Sequence, residues 1–115
     1  MSMTAIGVGA STGISHTLNG ITYRTFTAPL PKVRAATVNA LERMGIKVAS
    51  SERLQGGGGE LIKANTADRA IEIELESISP NTTRMRTVAR KNALLLDSAT
   101  ATEIILQTEK GLKPV

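Results

Sequence analysis

Residues 69–90 run RAIEIELESISPNTTRMRTVAR, and the fold turns on this stretch. Ile71, Ile73 and Leu75 alternate with Glu72, Glu74 and Glu76, the period of two that marks a strand with one buried and one wetted face. Ser79, Pro80 and Asn81 interrupt the run, and all three residue types favour turns. The alternation then resumes over 83–89, with Met85, Thr87 and Ala89 on one face and Arg84, Arg86 and Arg90 on the other. The stretch is therefore a β-hairpin with one apolar and one charged face.

Parity sets its register. Directly opposed residues of an antiparallel pair keep a constant sum of residue numbers. The glutamates and arginines all stand at even positions, so an acid/base ladder needs an even sum and a loop of odd length. A loop over 79–81 opposes Glu76 to Arg84 and Glu74 to Arg86. Each exposed pair contributes only about 0.2–1 kcal/mol, and less in salt, so the ladder selects a register more than it stabilises one.

The whole chain, 115 residues, is long enough for one domain with one modest core. Fourteen Lys and Arg against ten acids give a formal charge of +4, spread along the chain rather than blocked. That is the balance of a soluble mixed surface more than of a nucleic-acid footprint. There is no Cys, so disulfides, thiolate chemistry and zinc knuckles are excluded. No apolar run approaches the roughly 18 residues that a membrane-spanning helix needs.

Residues 1–19 are rich in Gly, Ala, Ser and Thr without periodicity, and are expected to form a flexible arm. They lack the basic start and long apolar segment of a signal peptide, so no export signal is expected in the sequence as given; Met-Ser-Met at 1–3 has the look of an added start, which leaves open that a native leader was removed. A single domain is expected over 20–112, followed by a tail over 113–115. Its first strand, 20–28, alternates Ile21, Tyr23 and Thr25 with Thr22, Arg24 and Phe26. A helix over 32–44 follows Pro31 and buries Val33, Ala36, Thr37, Ala40, Leu41 and Met44, with Gly45 as its C-terminal cap.

Strands over 46–53 and 60–66 flank Gly56, Gly57, Gly58 and Gly59, expected to be a mobile loop tip. After the central hairpin comes a second helix over 97–110. Asp97 or Ser98 caps it, or Thr100 with Glu103, and Gly111 ends it. Its buried stripe is Ala101, Ile104, Ile105 and Thr108, with Leu112 just beyond. The order β-α-β-β-β-β-α predicts an α+β two-layer sandwich, an antiparallel sheet with both helices on one face.

Catalytic chemistry is hard to assemble from these residues, and none is expected. The lone histidine, His16, falls in the arm, where nothing holds it beside a nucleophile. Glu72, Glu74 and Glu76 form a ladder with arginines rather than a metal cluster. Gly56 to Gly59 open onto a strand, not the helix that a phosphate cradle requires. No cofactor or metal site is predicted. The candidate interaction surface is Gly56, Gly57, Gly58 and Gly59 with Arg84, Arg86, Arg90 and Lys91, and the expected occupant is a protein partner or a small apolar ligand held between helices and sheet. The alternative is a small basic nucleic-acid-binding module. A double-stranded-RNA-binding domain, however, has lysines where this chain has Asp97 to Glu103, and an RNA-recognition sheet needs stacking aromatics on its middle strands.

From residue 20 to residue 112 the chain resembles an uncharacterised family of small bacterial envelope lipoproteins, known only as a domain of unknown function. The likeness is carried by Tyr23-Arg-Thr-Phe-Thr-Ala-Pro-Leu30, Ala35-Ala-Thr-Val-Asn-Ala-Leu-Glu42, Met44-Gly-Ile-Lys-Val48, the alternating strand 71–75, Thr83-Arg-Met-Arg86 and the helix start at 97–105. The element order also resembles the soluble domains of an accessory lipoprotein of the outer-membrane barrel assembly machine. The resemblance implies export, a lipid on an N-terminal cysteine and a location on the periplasmic side of the envelope, with the arm as tether. Neither leader nor cysteine stands in this sequence, and a cytoplasmic location is the alternative.

Overall fold

A computed structural model describes residues 16–18, 20–92 and 95–113. At its centre β5 (Ala70–Ser79) and β6 (Thr82–Arg90) pair as parity demands, Glu74 opposite Arg86, Glu76 opposite Arg84 and Leu75 opposite Met85. The loop differs from the expectation. It is Pro80-Asn81, two residues, and the odd residue is taken up by a bulge between Ser77 and Ser79. A bulge absorbs one residue and sharpens the local twist, so a tight turn and an even-sum ladder coexist; Ile78 is left exposed on the bulge. Arg90 has no glutamate opposite it, since it faces Ala70, and Glu72 faces Val88.

The remaining strands are β1 (His16–Leu18), β2 (Ile21–Phe26), β3 (Lys47–Arg53) and β4 (Gly59–Asn65), and the six lie antiparallel in the order β1-β2-β6-β5-β4-β3. With α1 (Leu30–Arg43) and α2 (Ser98–Leu112), residues 20–112 have the predicted α+β order, helices on one face of the sheet. One strand precedes it. His16 to Leu18, expected in a flexible arm, pair with Tyr23 to Ile21 as a short edge strand. Residues 1–15 and 19, the rest of that arm, lie outside the described residues, as do 114–115 of the expected tail.

The core is the apolar side of the central hairpin closed by the helices. Ile71, Ile73, Leu75, Met85 and Ala89 pack with Val33, Ala36 and Leu41 of α1, with Ala101, Ile104 and Ile105 of α2, and with Phe26 and Ile62. Three core threonines bond to carbonyl oxygens: Thr37 to Val33, Thr108 to Ile104 and Thr83 to Ala28, each at 2.8 Å. Of the two faces of β2, the one bearing Thr22, Arg24 and Phe26 is turned to the helices. Arg24 meets Glu109 of α2 there at 3.1 Å, both side chains over four-fifths buried, which offsets the cost of placing a guanidinium in the helix-facing layer.

Local chemistry ends each helix. Gly45 adopts φ +73° and donates to Glu42, while Ile46 donates to Leu41, the paired bonds of a Schellman cap. Asp97 caps α2 by accepting from the Thr100 backbone at 3.1 Å. Gly111, expected just past the helix, lies inside its last turn. A Cβ there would stand 3.4 Å from the Ala36 Cβ, at ordinary contact distance, and the helix runs on to Leu112.

Candidate functional site

The four glycines are shaped by need. Gly56 and Gly57 have φ of +88° and +75°, values that side chains resist. Gly59 is buried, and a Cβ on it would stand 2.5 Å from the Leu75 carbonyl oxygen and 2.7 Å from Leu54 Cδ1. Backbone bonds hold the loop: Leu54 donates to Gly59, Gly57 to Leu54 and Ser77 to Gly58. What was expected to be a free tip is thus a closed loop tied to its own strands and to β5, with only Gly58 unconstrained by φ or neighbours.

That loop forms one wall of a surface cleft of about 530 Å³ whose opposite wall is the first turn of α1. Leu30 and Pro31 give it an apolar lip, and Arg34, Ser51, Glu52, Arg53 and Glu60 supply its polar lining beside Gly57 and Gly59. Glu60 is the pivot. Arg34 Nε donates to its Oε2 at 2.7 Å, the Ser51 hydroxyl donates to the same oxygen, and the carboxylate is only 13% exposed. Burial pushes its pKa up, but the Ser51 and Arg34 bonds and the charges of Arg34 and Arg53 outweigh this and leave it below the usual carboxylate value.

A carboxylate so held stays ionised, with Arg34 and Ser51 both donating to its Oε2. The cleft thus presents two guanidiniums, two carboxylates, a hydroxyl and an apolar lip.

The sequence candidates divide between two ends of the sheet. Gly57 and Gly59 line the cleft, and Arg84 lies at the same end, because Gly59, Glu76 and Arg84 stand in one row across β4, β5 and β6. Arg84 is ion-paired with Glu76, and Arg86 stands 3.8 Å from Glu74, all on the open face. Arg90 sits at the far end in a shallow groove of about 370 Å³ with Ser50, Lys63, Asn65 and Glu72. Lys91 is exposed in the turn beyond it, its backbone bonded to Leu95. The eight residues therefore do not form one surface.

Arg34, Ser51, Arg53 and Glu60 are absent from the sequence candidates. Arg34 stands on the polar stripe of α1 and Glu60 opens a strand, 26 residues apart. No local spacing links them; only the packing of α1 on the sheet does. At the opposite corner Arg69 donates to Asp97 at 2.8 Å and Asp97 caps α2. The Thr100 and Arg69 bonds hold the Asp97 carboxyl far below its ordinary range. This cluster is a structural clamp, its acceptors consumed within the fold.

Among the described residues no group of three His, Cys, Asp or Glu is placed to hold a metal ion, and no helix is long and apolar enough to cross a membrane. No family model and no curated protein matches this chain.

Proposed function

We propose that this chain is a non-catalytic binding module of the bacterial cell envelope, on its periplasmic side, that engages a protein partner through the cleft between α1 and the β3–β4 loop. One observation carries the reading: the polar groups that are fixed but still reachable gather at that cleft, around Glu60. The rival occupant, an apolar ligand between helices and sheet, has little room. Phe26, Ile62, Ile73, Leu75, Met85, Ile104 and Ile105 are all 0% exposed, so no gap wide enough for a water touches them. A peptide segment suits the cleft better, its carboxylates meeting Arg34 and Arg53 and its apolar groups the lip of Leu30 and Pro31. Arg84 and Arg86 are engaged with glutamates, which counts against the nucleic-acid reading. The envelope address is supported by the resemblance of residues 20–112 to envelope lipoproteins.

The test is made on the product of the full reading frame in its own host, carrying a photo-crosslinking residue at position 58 or at position 91. The expected result is a lipid-modified cysteine upstream of Thr4, recovery with membranes, and a crosslinked protein from position 58 that position 91 does not give. An unmodified cytosolic chain sinks the address. Equal crosslinking from both positions sinks the cleft.

A further inference from the structure

The long edge of the sheet is β3. Six of its seven residues are exposed, and its outer side meets no other strand among the described residues. Such an edge is a template for another strand unless it is blunted by proline, charged side chains or a bulge. β3 has no proline; it carries Lys47, Glu52 and Arg53 and a bulge between Val48 and Ser50. That bulge does something other than defend. It shifts the alternation so that Lys47, Ser50 and Glu52 share the open face, opposite Asn65, Lys63 and Leu61, while Val48, Ser51 and Arg53 share the helix side, opposite Ala64, Ile62 and Glu60. Without it Lys47 and Glu52, five positions apart, would lie on opposite faces.

We infer that β3 is a dimer seam on which the β3 of a second copy of this chain pairs antiparallel, about a two-fold axis through Ser50. Counting along the strand with the bulged residue set aside, Ser50 opposes Ser50 of the second copy, Val48 opposes Ser51 and Lys47 opposes Glu52. Directly opposed residues share a face, and both members of each pair do. The two-fold therefore creates two identical Lys47–Glu52 pairs on the open face, and the edge is complementary to itself. A register one residue away, with Lys47 against Arg53, would set like charges together and place residues of different faces opposite each other.

The helix side adds apolar area to the same seam. Val48 and Val38 are both half-buried against the core, and Val38 lies one helical turn beyond Arg34, which reaches toward β4. Pairing at β3 brings two copies of this margin together and covers what each leaves exposed. Ser51, Glu52 and Arg53 of β3 also border the cleft, but the seam is read from the strand's free edge and register and does not rest on the function proposed above.

Charge exchange tests it. Sedimentation velocity and light scattering at low salt would compare the wild-type chain, K47E, E52K, the double variant K47E/E52K, and an equimolar mixture of K47E with E52K, with circular dichroism showing each to be folded. The wild type is expected to be a dimer that weakens with salt. Each single reversal turns two attractions into two repulsions, and weakens it by about tenfold or more. The double variant restores the dimer. The mixture forms a heterodimer, because the introduced glutamate of one chain then meets the introduced lysine of the other, while the first chain's Glu52 meets the second chain's Lys47. A wild-type chain monomeric at every concentration overturns the inference, and so does a dimer indifferent to both reversals.

Discussion

The two hairpins on the C-terminal side of α1 are built on opposite principles. β5 and β6 lie in the middle of the sheet, with Ile71, Ile73, Leu75, Met85, Thr87 and Ala89 buried on one side and a charged ladder on the other. β3 and β4 lie at the edge, and among the residues of β3 only Val48 is even half-buried. In the first hairpin burial dictates register, since a slip of one residue would carry the whole apolar set into water. In the second, β3 has almost nothing to lose by slipping. Its register rests on β4, the bulge and the glycine loop, and it is there that the fixed polar groups are presented outward. The interior hairpin holds the fold; the edge hairpin is free to bear function.

The sharpest test of that contrast is a pair of truncations. Ile73, central and 0% exposed, is expected to cost about 3–4 kcal/mol as Ala, from lost transfer energy and the cavity left behind. Ser50→Ala, at an exposed position of β3, is expected to cost under about 0.5 kcal/mol. Urea unfolding followed by circular dichroism measures both. Comparable losses at the two sites would break the distinction.

Next in size is the one point where the edge hairpin is as tightly packed as the core. Gly59→Ala drives a Cβ against the Leu75 carbonyl oxygen and Leu54, and about 2–3 kcal/mol of destabilisation is expected from such overpacking. Gly58→Ala, with nothing within 4 Å and no positive φ, should be neutral or slightly stabilising through the unfolded chain, by about 0.4–1 kcal/mol. If both behave alike, the loop is a mere tether and not a built wall of the cleft.

These glycines also mark what a sequence can and cannot disclose. Parity alone yields the Glu74–Arg86 and Glu76–Arg84 register, because alternation and charge are local facts. The bulge at Ile78 is hidden, since a bulge is a property of two strands and one turn together. β1 is missed because three residues, His16 to Leu18, are too few for a period to show. Gly111 is misassigned because a glycine after an apolar stripe need not end a helix, and α2 runs on to bury Leu112. The cleft is the extreme case. Arg34 and Glu60 acquire a shared meaning only when α1 settles on the sheet, whereas the glycines beside them announce the loop without its purpose.

The open end of the central hairpin is closed by Arg69 and Asp97, and a smaller effect is expected here. Asp97→Ala removes the α2 cap, worth about 1–2 kcal/mol. The sign with pH follows from its lowered pKa. Below its ordinary value of 3.8 the unfolded chain binds the proton and the folded one resists it. Asp97 thus contributes stability that is present above that value and lost as pH falls toward the folded pKa. Wild-type stability should drop between about pH 5 and pH 2, and Asp97→Asn should flatten part of that drop. An unchanged slope in the Asn variant would mean that the clamp is not made in solution.

The smallest effect belongs to the ladder itself. Glu76 and Arg84 are half exposed, at 48% and 50%, so water screens the pair, and a double-mutant cycle with Glu76→Ala and Arg84→Ala should give a coupling of about 0.2–0.5 kcal/mol that fades in 1 M salt. Glu74 and Arg86, at 3.8 Å, should couple less. A weak ladder with a strict register is the signature of charges that choose among pairings already permitted by burial. If the coupling instead exceeded about 1 kcal/mol and survived salt, the usual range for exposed pairs would not hold, the open face would have to be covered in solution, and the same cycle repeated on the K47E variant would show whether the β3 seam or some other contact covers it.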